Sequence, residues 1–226
     1  RGFITMAPDQ PDLLIGIPDG ENLYYHAAPG SFPGFPWQSY SLDAETNGKA
    51  MRVLAHRVSA ADDAWWLVGT DLGRIIVPWP TDGWTGFKTV FSHPLGYPVK
   101  SIAASPVNPQ VIFVLFGTDS KTSIYRIVLD TTDPALATSA EITYNFPTNV
   151  QTWTLCGDPR RQDVAYVGTS RGVLWLDPSA TNSFVAWQPF NDGLPLTSVV
   201  ELLPAPTDDS VVAATKGRGA WRMIAP

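Results

Sequence analysis

The sequence is poor in the residues that metal and thiol chemistry depends on. It has one cysteine, Cys156, in 226 residues, so no internal disulfide is expected, and one cysteine does not separate secreted from intracellular proteins. Three histidines, His26, His56 and His93, lie in different predicted blades or strands. A shared zinc site is therefore not expected, because zinc needs clustered ligands.

Basic charge and long apolar runs are also scarce. The 15 basic residues are outnumbered by 21 acidic ones, which gives a net charge of −6 and a pI near 4.9. Nucleic acid is thus not an expected partner. No apolar run approaches a membrane span, so we expect no membrane insertion. Residues 1–4 have neither an initiator methionine nor a signal-peptide pattern. We interpret them as a processed or truncated end, which is compatible with the loss of an upstream signal peptide.

Helix signals are almost missing. The 21 prolines and 18 glycines are spread through the chain, so few stretches can hold three helical turns. Aromatic residues make up 12%, including nine tryptophans, and β-branched residues are frequent in the apolar runs. This composition favours strands and sheet-on-sheet packing.

The sequence contains a repeat of about 50 residues. Five similar turns follow apolar runs, and their first residues are 53, 48, 51 and 46 apart (69−16, 117−69, 168−117, 214−168). A period of this length is typical of a β-propeller, with one four-stranded blade per repeat. The turns begin at Gly16, Gly69, Gly117, Gly168 and Ala214.

We predict an all-β fold, a single β-propeller domain over residues 1–226 with about five four-stranded blades. We expect Gly69, Gly117 and Gly168 to end the second strand of their blades, where glycine permits close backbone approach and positive φ. The fourth strand of the third blade is predicted at Glu141–Phe146. The blades run approximately over 3–49, 50–97, 98–149, 150–197 and 198–226.

The last blade lacks a fourth strand in the sequence. Its strands are predicted at Ser198–Leu203, Ser210–Ala214 and Ala220–Ile224. A propeller with a short last blade, completion by a partner chain, and the C-terminal part of a larger propeller all fit this pattern, because an open strand edge has to be covered or blunted.

The end of the chain carries the most specific sequence pattern. Residues 192–199 (DGLPLTSV) lead into residues 211–222 (VVAATKGRGAWR), and residues 168–175 repeat the pattern one blade earlier. This segment resembles the close of BNR-repeat propellers, which include sortilin-like domains and xyloglucanase-type glycoside hydrolases. Lys216 stands where that group usually has His, and Ala220 where it usually has Val. The resemblance implies a fold and does not carry an activity.

No catalytic or metal-binding set is recognisable. Xyloglucanase-type hydrolases use paired aspartates between two propellers, and their aspartate motif has no counterpart here. A glycosidase needs two carboxylates about 5–9.5 Å apart, whereas Glu201 is the one carboxylate on a predicted innermost strand. The pairs Asp62-Asp63 and Asp208-Asp209 lack a third ligand and are expected to be solvated turns rather than calcium sites. We expect no catalytic residue, cofactor or metal.

Loop residues are the remaining candidates for function. Arg171 and Arg218 occupy the same turn of neighbouring blades, while Trp79, Trp84 and Tyr97 lie in or near loops, where an aromatic ring can stack on a sugar. We predict a non-enzymatic, secreted or extracellular binding module with a glycan or protein ligand. Two alternatives stay open: a portion of a xyloglucanase-type glycoside hydrolase, and a structural subunit that pairs with a partner chain at the edge of the last blade.

Overall fold

The backbone is all-β, as predicted. A computed structural model describes residues 3–7, 10–17, 22–27, 38–42, 48–56, 65–79, 86–177, 186–191, 193–205 and 207–226. These residues form nineteen β-strands and one short 3₁₀ helix, with no α-helix among them. The strands form five antiparallel sheets, and in each sheet consecutive strands are neighbours. Four sheets have four strands and the last has three, which matches the predicted strand numbers. The blade number and the single domain stay predictions.

The chain divides into two compact units, and the first comprises Arg1–Val99 and Leu129–Ala137. It contains two sheets, and strand β5 of the second sheet packs against β1 and β2. A 3₁₀ helix, Pro134–Leu136, lies against β8, where Lys88 Nζ is 3.0 Å from Asp133 Oδ1. The strands are β1 (Phe3–Ala7), β2 (Gln10–Ile17), β3 (Asn22–Ala27), β4 (Gln38–Ser41), β5 (Ala50–His56), β6 (Trp65–Thr70), β7 (Arg74–Trp79) and β8 (Gly86–Ser92).

The second unit comprises Lys100–Val128 and Thr138–Pro226 and holds three sheets. One apolar cluster lies between its first two sheets and includes Phe113, Leu155 and Trp187. A second cluster lies between its last two sheets and includes Tyr166 and Val211. The strands are β9 (Val99–Ala104), β10 (Val111–Gly117), β11 (Thr122–Val128), β12 (Thr138–Glu141), β13 (Thr152–Gly157), β14 (Ala165–Thr169), β15 (Gly172–Leu176), β16 (Trp187–Pro189), β17 (Val199–Ala205), β18 (Ser210–Thr215) and β19 (Gly219–Ile224).

The burial of second strands such as β10 and β14 explains why these segments form sheets. All seven residues of β10 are buried, and so are all five of β14. A strand that is covered on both faces reads as a continuous apolar run rather than as an alternating one. The sequence VIFVLFG of β10 has this character.

The fourth strand of the third sheet was predicted too late in the chain. It spans Thr138–Glu141 instead of Glu141–Phe146. Residues 142–146 turn away, with Tyr144 at φ 41°, and wrap around Trp187 of the next sheet. Trp187 Nε1 donates to Ile142 O at 2.7 Å, and its ring meets Phe146 edge-on with centroids 5.3 Å apart. Ile142 N still donates to Ile124 O of β11 at 2.8 Å, and beyond it packing against the neighbouring sheet replaces strand pairing.

The predicted glycines lie at the ends of the second strands, since Gly117 is the last residue of β10 and Gly69 and Gly168 are the last but one of β6 and β14. Of the two expected reasons, close approach holds at Gly168. A Cβ at Gly168 would lie 2.7 Å from Thr154 Cγ2 and 2.9 Å from Val199 O, so close approach excludes a side chain. Of the three, only Gly117 has a positive φ, 156°, which is near extended backbone. Clearly left-handed backbone occurs instead at the second glycine of the turn, as at Gly172 with φ 102°.

The last sheet ends in β19, which pairs with β18 on one side. Among the described residues no strand pairs with its other side. The side chains of Trp221 and Ile224 on this strand are exposed. A partner chain at this edge stays a prediction.

Candidate functional site

Arg171 and Arg218 lie in matching turns of the second unit. Arg171 is in the β14–β15 turn and Arg218 in the β18–β19 turn, and both are exposed. The threonine that precedes each turn fastens it: Thr169 Oγ1 donates to Gly172 O at 3.0 Å, and Thr215 Oγ1 donates to Gly219 O at 2.7 Å. The threonine of the repeated turn motif therefore forms a side-chain hydrogen bond across the hairpin turn.

Both turns lie at one end of their sheets, which we call the turn end. The end of β14 touches the start of β17, since a Cβ on Gly168 would be 2.9 Å from Val199 O. Val199 pairs in turn with Thr215 at the end of β18. The third sheet presents its corresponding turn at the same end, because Thr122 Oγ1 is 3.4 Å from Thr152 Oγ1 at the start of β13.

A β-bulge exposes Trp153 at the turn end. Thr152 pairs with Thr169 and Thr154 pairs with Gly168, which leaves Trp153 without a partner in the ladder. It is the one exposed residue of β13, at 42% of its full accessible surface. Val200 occupies the equivalent bulge in β17 and is 43% exposed. A bulge redirects a side chain out of the regular alternation, which accounts for an exposed indole in an otherwise buried strand.

Polar side chains lie beside these bulge residues. Thr154 Oγ1 donates to Glu201 Oε1 at 3.4 Å, and Leu155 N donates to Ser101 Oγ at 3.3 Å, so β9, β13 and β17 are linked side by side. Lys100, next to Ser101, donates from Nζ to Thr118 O at 2.7 Å. We call the second and third residues of these three strands the first-strand row: Lys100, Ser101, Trp153, Thr154, Val200 and Glu201.

The turn end is rich in cations. Burial lowers the pKa of Lys100, and nearby Asp119 partly offsets this. The side chains of Arg171 and Arg218 have no hydrogen bond or ion pair within the part of the chain that the structure describes. The exposed basic residues of the three turns are Lys121, Arg171, Lys216 and Arg218.

The opposite end, the loop end, carries the connections between first and second strands and holds a paired carboxylate. Asp158 is fully buried and accepts from Tyr166 Oη at 2.7 Å and from Arg161 Nη2 at 2.6 Å. The backbone amides of Arg160 and Arg161 donate to its second oxygen at 2.8 and 2.9 Å. Burial acts most strongly and would raise the Asp158 pKa, but these hydrogen bonds together outweigh it and hold the pKa below its ordinary value.

The predicted site residues Trp79 and Tyr97 belong to the first unit. Tyr97 stacks there on His93 with ring centroids 4.8 Å apart. Trp79 is the last residue of β7, whereas Tyr97 O lies near Gly73, just before β7 begins. The two are thus at opposite ends of one sheet, roughly 17 Å apart for a strand of this length. Trp84 lies outside the described residues.

Trp153 is the residue that sequence reasoning missed. Its strand was predicted correctly, but a strand position alone suggests a packed tryptophan. The available signal was the repeated pattern of an apolar residue and then a polar one near the start of three first strands: Met51-Arg52, Trp153-Thr154 and Val200-Glu201. The register shows a bulge at each of these places.

The described residues show neither an activated nucleophile nor a group of metal ligands. Burial, the largest cause, raises the pKa of the Cys156 thiol, as do Asp158 and Glu201. The thiol is therefore a small apolar side chain rather than a nucleophile. Among the described residues no three His, Cys, Asp or Glu side chains are grouped to hold a metal ion. On the first strands of the second unit Glu201 is the one carboxylate, and all residues of these strands are described.

Comparison with known proteins identifies the fold. No protein-family model matches the chain, and no curated protein matches it. A GH74 xyloglucanase from Xanthomonas campestris superposes with a TM-score of 0.65 at 14% identity, over 97% of this chain and 36% of that one. PorZ, an essential bacterial surface component of the type-IX secretion system of Porphyromonas gingivalis, gives 0.60 at 13% identity, over 98% and 32%. The Pan2 WD40 domain of Neurospora crassa gives 0.57 at 13% identity, over 93% and 54%.

The fold is that of a β-propeller. The chain spans about a third of the xyloglucanase and of PorZ, so the likeness concerns a part of those proteins. At these sequence identities the likeness shows the fold alone, because propellers serve many functions. No helix in the described residues is long and apolar enough to cross a membrane.

Proposed function

We propose that this propeller is a non-enzymatic binding module that holds a carbohydrate on the first-strand row. The observation that carries the proposal is the exposed indole of Trp153 in the bulge of β13. An exposed indole stacks on the apolar CH face of a sugar ring, and neighbouring polar groups can bond the ring hydroxyls. Glu201, which is exposed on the neighbouring strand and accepts from the buried Thr154, supplies such a group. A rigid sheet supports them, as preorganised binding requires.

We extend the proposal to family and location. The closing segment over residues 192–222 supports a BNR-repeat type of propeller, and the fold likeness to a GH74 xyloglucanase agrees with it. A location outside the cell is supported by the likeness to PorZ, a bacterial surface component. Both statements are proposals because the sequence identities are low.

A glycan array with the purified protein tests the function. We expect the protein to bind a subset of glycans, and Trp153→Ala to weaken that binding about tenfold, as loss of a stacked aromatic contact predicts. Tyr144→Asn is the matched control: it removes an aromatic ring that is more exposed, at 53%, but follows an outer strand, and asparagine tolerates its positive φ. An empty array, or unchanged binding by Trp153→Ala, would overturn the proposal.

The hydrolase alternative is weaker because Glu201 has no second carboxylate beside it on the described first strands. We expect no turnover of β-glucans by this chain. Hydrolysis that disappears in Glu201→Gln would establish the hydrolase instead.

The assembly alternative is favoured by the exposed side chains of Trp221 and Ile224 on β19. If no partner covers this edge, the outward amides of β19 should exchange rapidly in a monomer. Strong protection in a protein of monomer mass would show that this strand is covered from within the chain.

A further inference from the structure

Away from the turn end, the arginines of the second unit bond acidic side chains or backbone carbonyls. Arg126 Nη2 is 2.6 Å from Asp163 Oδ1, and Arg222 Nη2 is 2.7 Å from Asp208 Oδ2. Arg160 Nη2 donates to Ala225 O and Pro226 O, each at 2.6 Å. The guanidinium groups of Arg171 and Arg218, by contrast, have no partner among the described residues. In a chain of net charge −6, two exposed arginines in equivalent turns therefore have guanidinium groups that can pair with an anionic ligand.

The backbone places these cations beside the bulge residues. Ser170 N, next to Arg171, donates to Gln151 O at 2.8 Å, two residues before Trp153. Lys216 N donates to Ser198 O at 2.8 Å, two residues before Val200. The same connection therefore joins a basic turn to a bulge in two neighbouring sheets. The backbone of each basic turn is therefore held next to the first-strand row.

Acidic groups at the turn end are fewer than basic ones. Asp119 acts on Lys100, and Glu201 accepts from Thr154. Asp192, in the connection that leads to β17, lies outside the described residues. Among the residues whose side chains are described, basic groups therefore outnumber acidic ones at the turn end.

We propose that the carbohydrate bound at the first-strand row is an acidic saccharide whose carboxylates pair with Arg171 and Arg218. This inference rests on the proposed function, since it requires that a sugar ring stacks on the indole of Trp153. A guanidinium matches a carboxylate with two parallel hydrogen bonds, whereas a neutral sugar leaves both arginines without a counter-charge. An acidic peptide would satisfy the arginines as well, but it offers no sugar ring for the indole and no row of hydroxyls for Glu201.

Two probes of equal size test the charge of the ligand. One is a uronate tetrasaccharide, oligogalacturonate, and the other is the same oligosaccharide with its carboxylates methyl-esterified. We expect the acid to bind about tenfold more tightly than the ester at low ionic strength, with an advantage that shrinks as salt is added. The double variant Arg171→Gln, Arg218→Gln should remove this advantage, so that acid and ester bind with equal affinity. Trp153→Ala should weaken the binding of both probes.

Each outcome separates the two proposals. Equal binding of acid and ester, or array hits confined to neutral glycans, overturns the acidic ligand and leaves the carbohydrate function standing. An array without hits overturns the function. A poly-glutamate peptide that binds more tightly than the uronate, and loses its binding in the double arginine variant, would assign the surface to acidic peptides. Thermal melts of all variants exclude unfolding as the cause, because neither arginine has a structural partner among the described residues.

Discussion

The two ends of the second unit differ in whether their charged side chains are paired. At the loop end Asp158 is fully buried and bound by Tyr166 and Arg161, and Asp208 pairs with Arg222 at 2.7 Å. At the turn end Arg171 and Arg218 are exposed and lack such partners among the described residues. Paired and buried charge holds loops in place, whereas unpaired charge on a rigid turn is available to a ligand. The difference separates a structural end from a candidate binding end of the same sheets.

The largest effect is expected at the loop end. Asp158→Ala should lower the free energy of unfolding by about 3 kcal/mol, because it leaves Tyr166 and Arg161 without their shared acceptor. Urea denaturation measures this. The control is Asp163→Ala, since Asp163 is 58% exposed in its pair with Arg126 and should contribute less than about 1 kcal/mol. Equal losses in the two variants would remove the distinction between buried and exposed pairs.

A smaller effect is expected where the two last sheets meet. Gly168→Ala should cost about 2 kcal/mol, because its Cβ would meet Thr154 Cγ2 and Val199 O. At Gly217, in the β18–β19 turn, a Cβ meets nothing within 4 Å, so Gly217→Ala should cost about 1 kcal/mol for its positive φ of 85°. Thermal unfolding of both variants gives the order. A larger loss at Gly217 would contradict the close contact between these sheets.

Acid should weaken the loop end selectively. The Asp158 pKa is lower in the folded protein than in the unfolded chain, so its stabilising contribution is complete above the unfolded value of about 3.9. It is lost as the pH falls through the lower folded value. We expect the stability difference between wild type and Asp158→Asn, from urea midpoints, to shrink as the pH is lowered from 7 into this range. A difference that grows toward acid pH would show that the pKa shift has the opposite sign.

The smallest effect is expected at the turn end. The double variant Arg171→Gln, Arg218→Gln should change the free energy of unfolding by no more than about 0.5 kcal/mol, as for surface residues without partners. Thermal melts measure it, with Arg161→Gln as the contrast because Arg161 bonds Asp158. A loss above 1 kcal/mol in the double variant would mean that the turn arginines pair within the chain, and the contrast between the two ends would fail.

Local signals in the sequence predicted most of the sheet structure. The apolar run of β10 and the Gly-Thr turn after β14 mark strands and hairpins by themselves, because burial on both faces and turn geometry each leave a short-range pattern. Contacts between sheets leave no such pattern. The strand expected at Glu141–Phe146 was wrong because this segment packs against Trp187, about 40 residues later, which bonds Ile142 O and contacts the Phe146 ring.

The candidate site was predicted in part. Arg171 and Arg218 were recognised because they repeat in equivalent turns, which a sequence period can reveal. Trp153 was not, because its exposure depends on the ladder register between β13 and β14. Trp79 and Tyr97 were grouped with the arginines as loop aromatics, but the fold puts these two at opposite ends of one sheet.

The sequence by itself determined the all-β class, the repeat, the order of strands and the place of the turn arginines. These follow from backbone rules that act within a few residues, such as the φ of proline, the freedom of glycine and the burial of apolar runs. The tertiary structure alone decided that Asp158 is buried in a pair with Arg161 and that the Trp153 side chain is exposed. Both depend on which strands become neighbours, a choice made by the burial of apolar surface between sheets and not by any one segment.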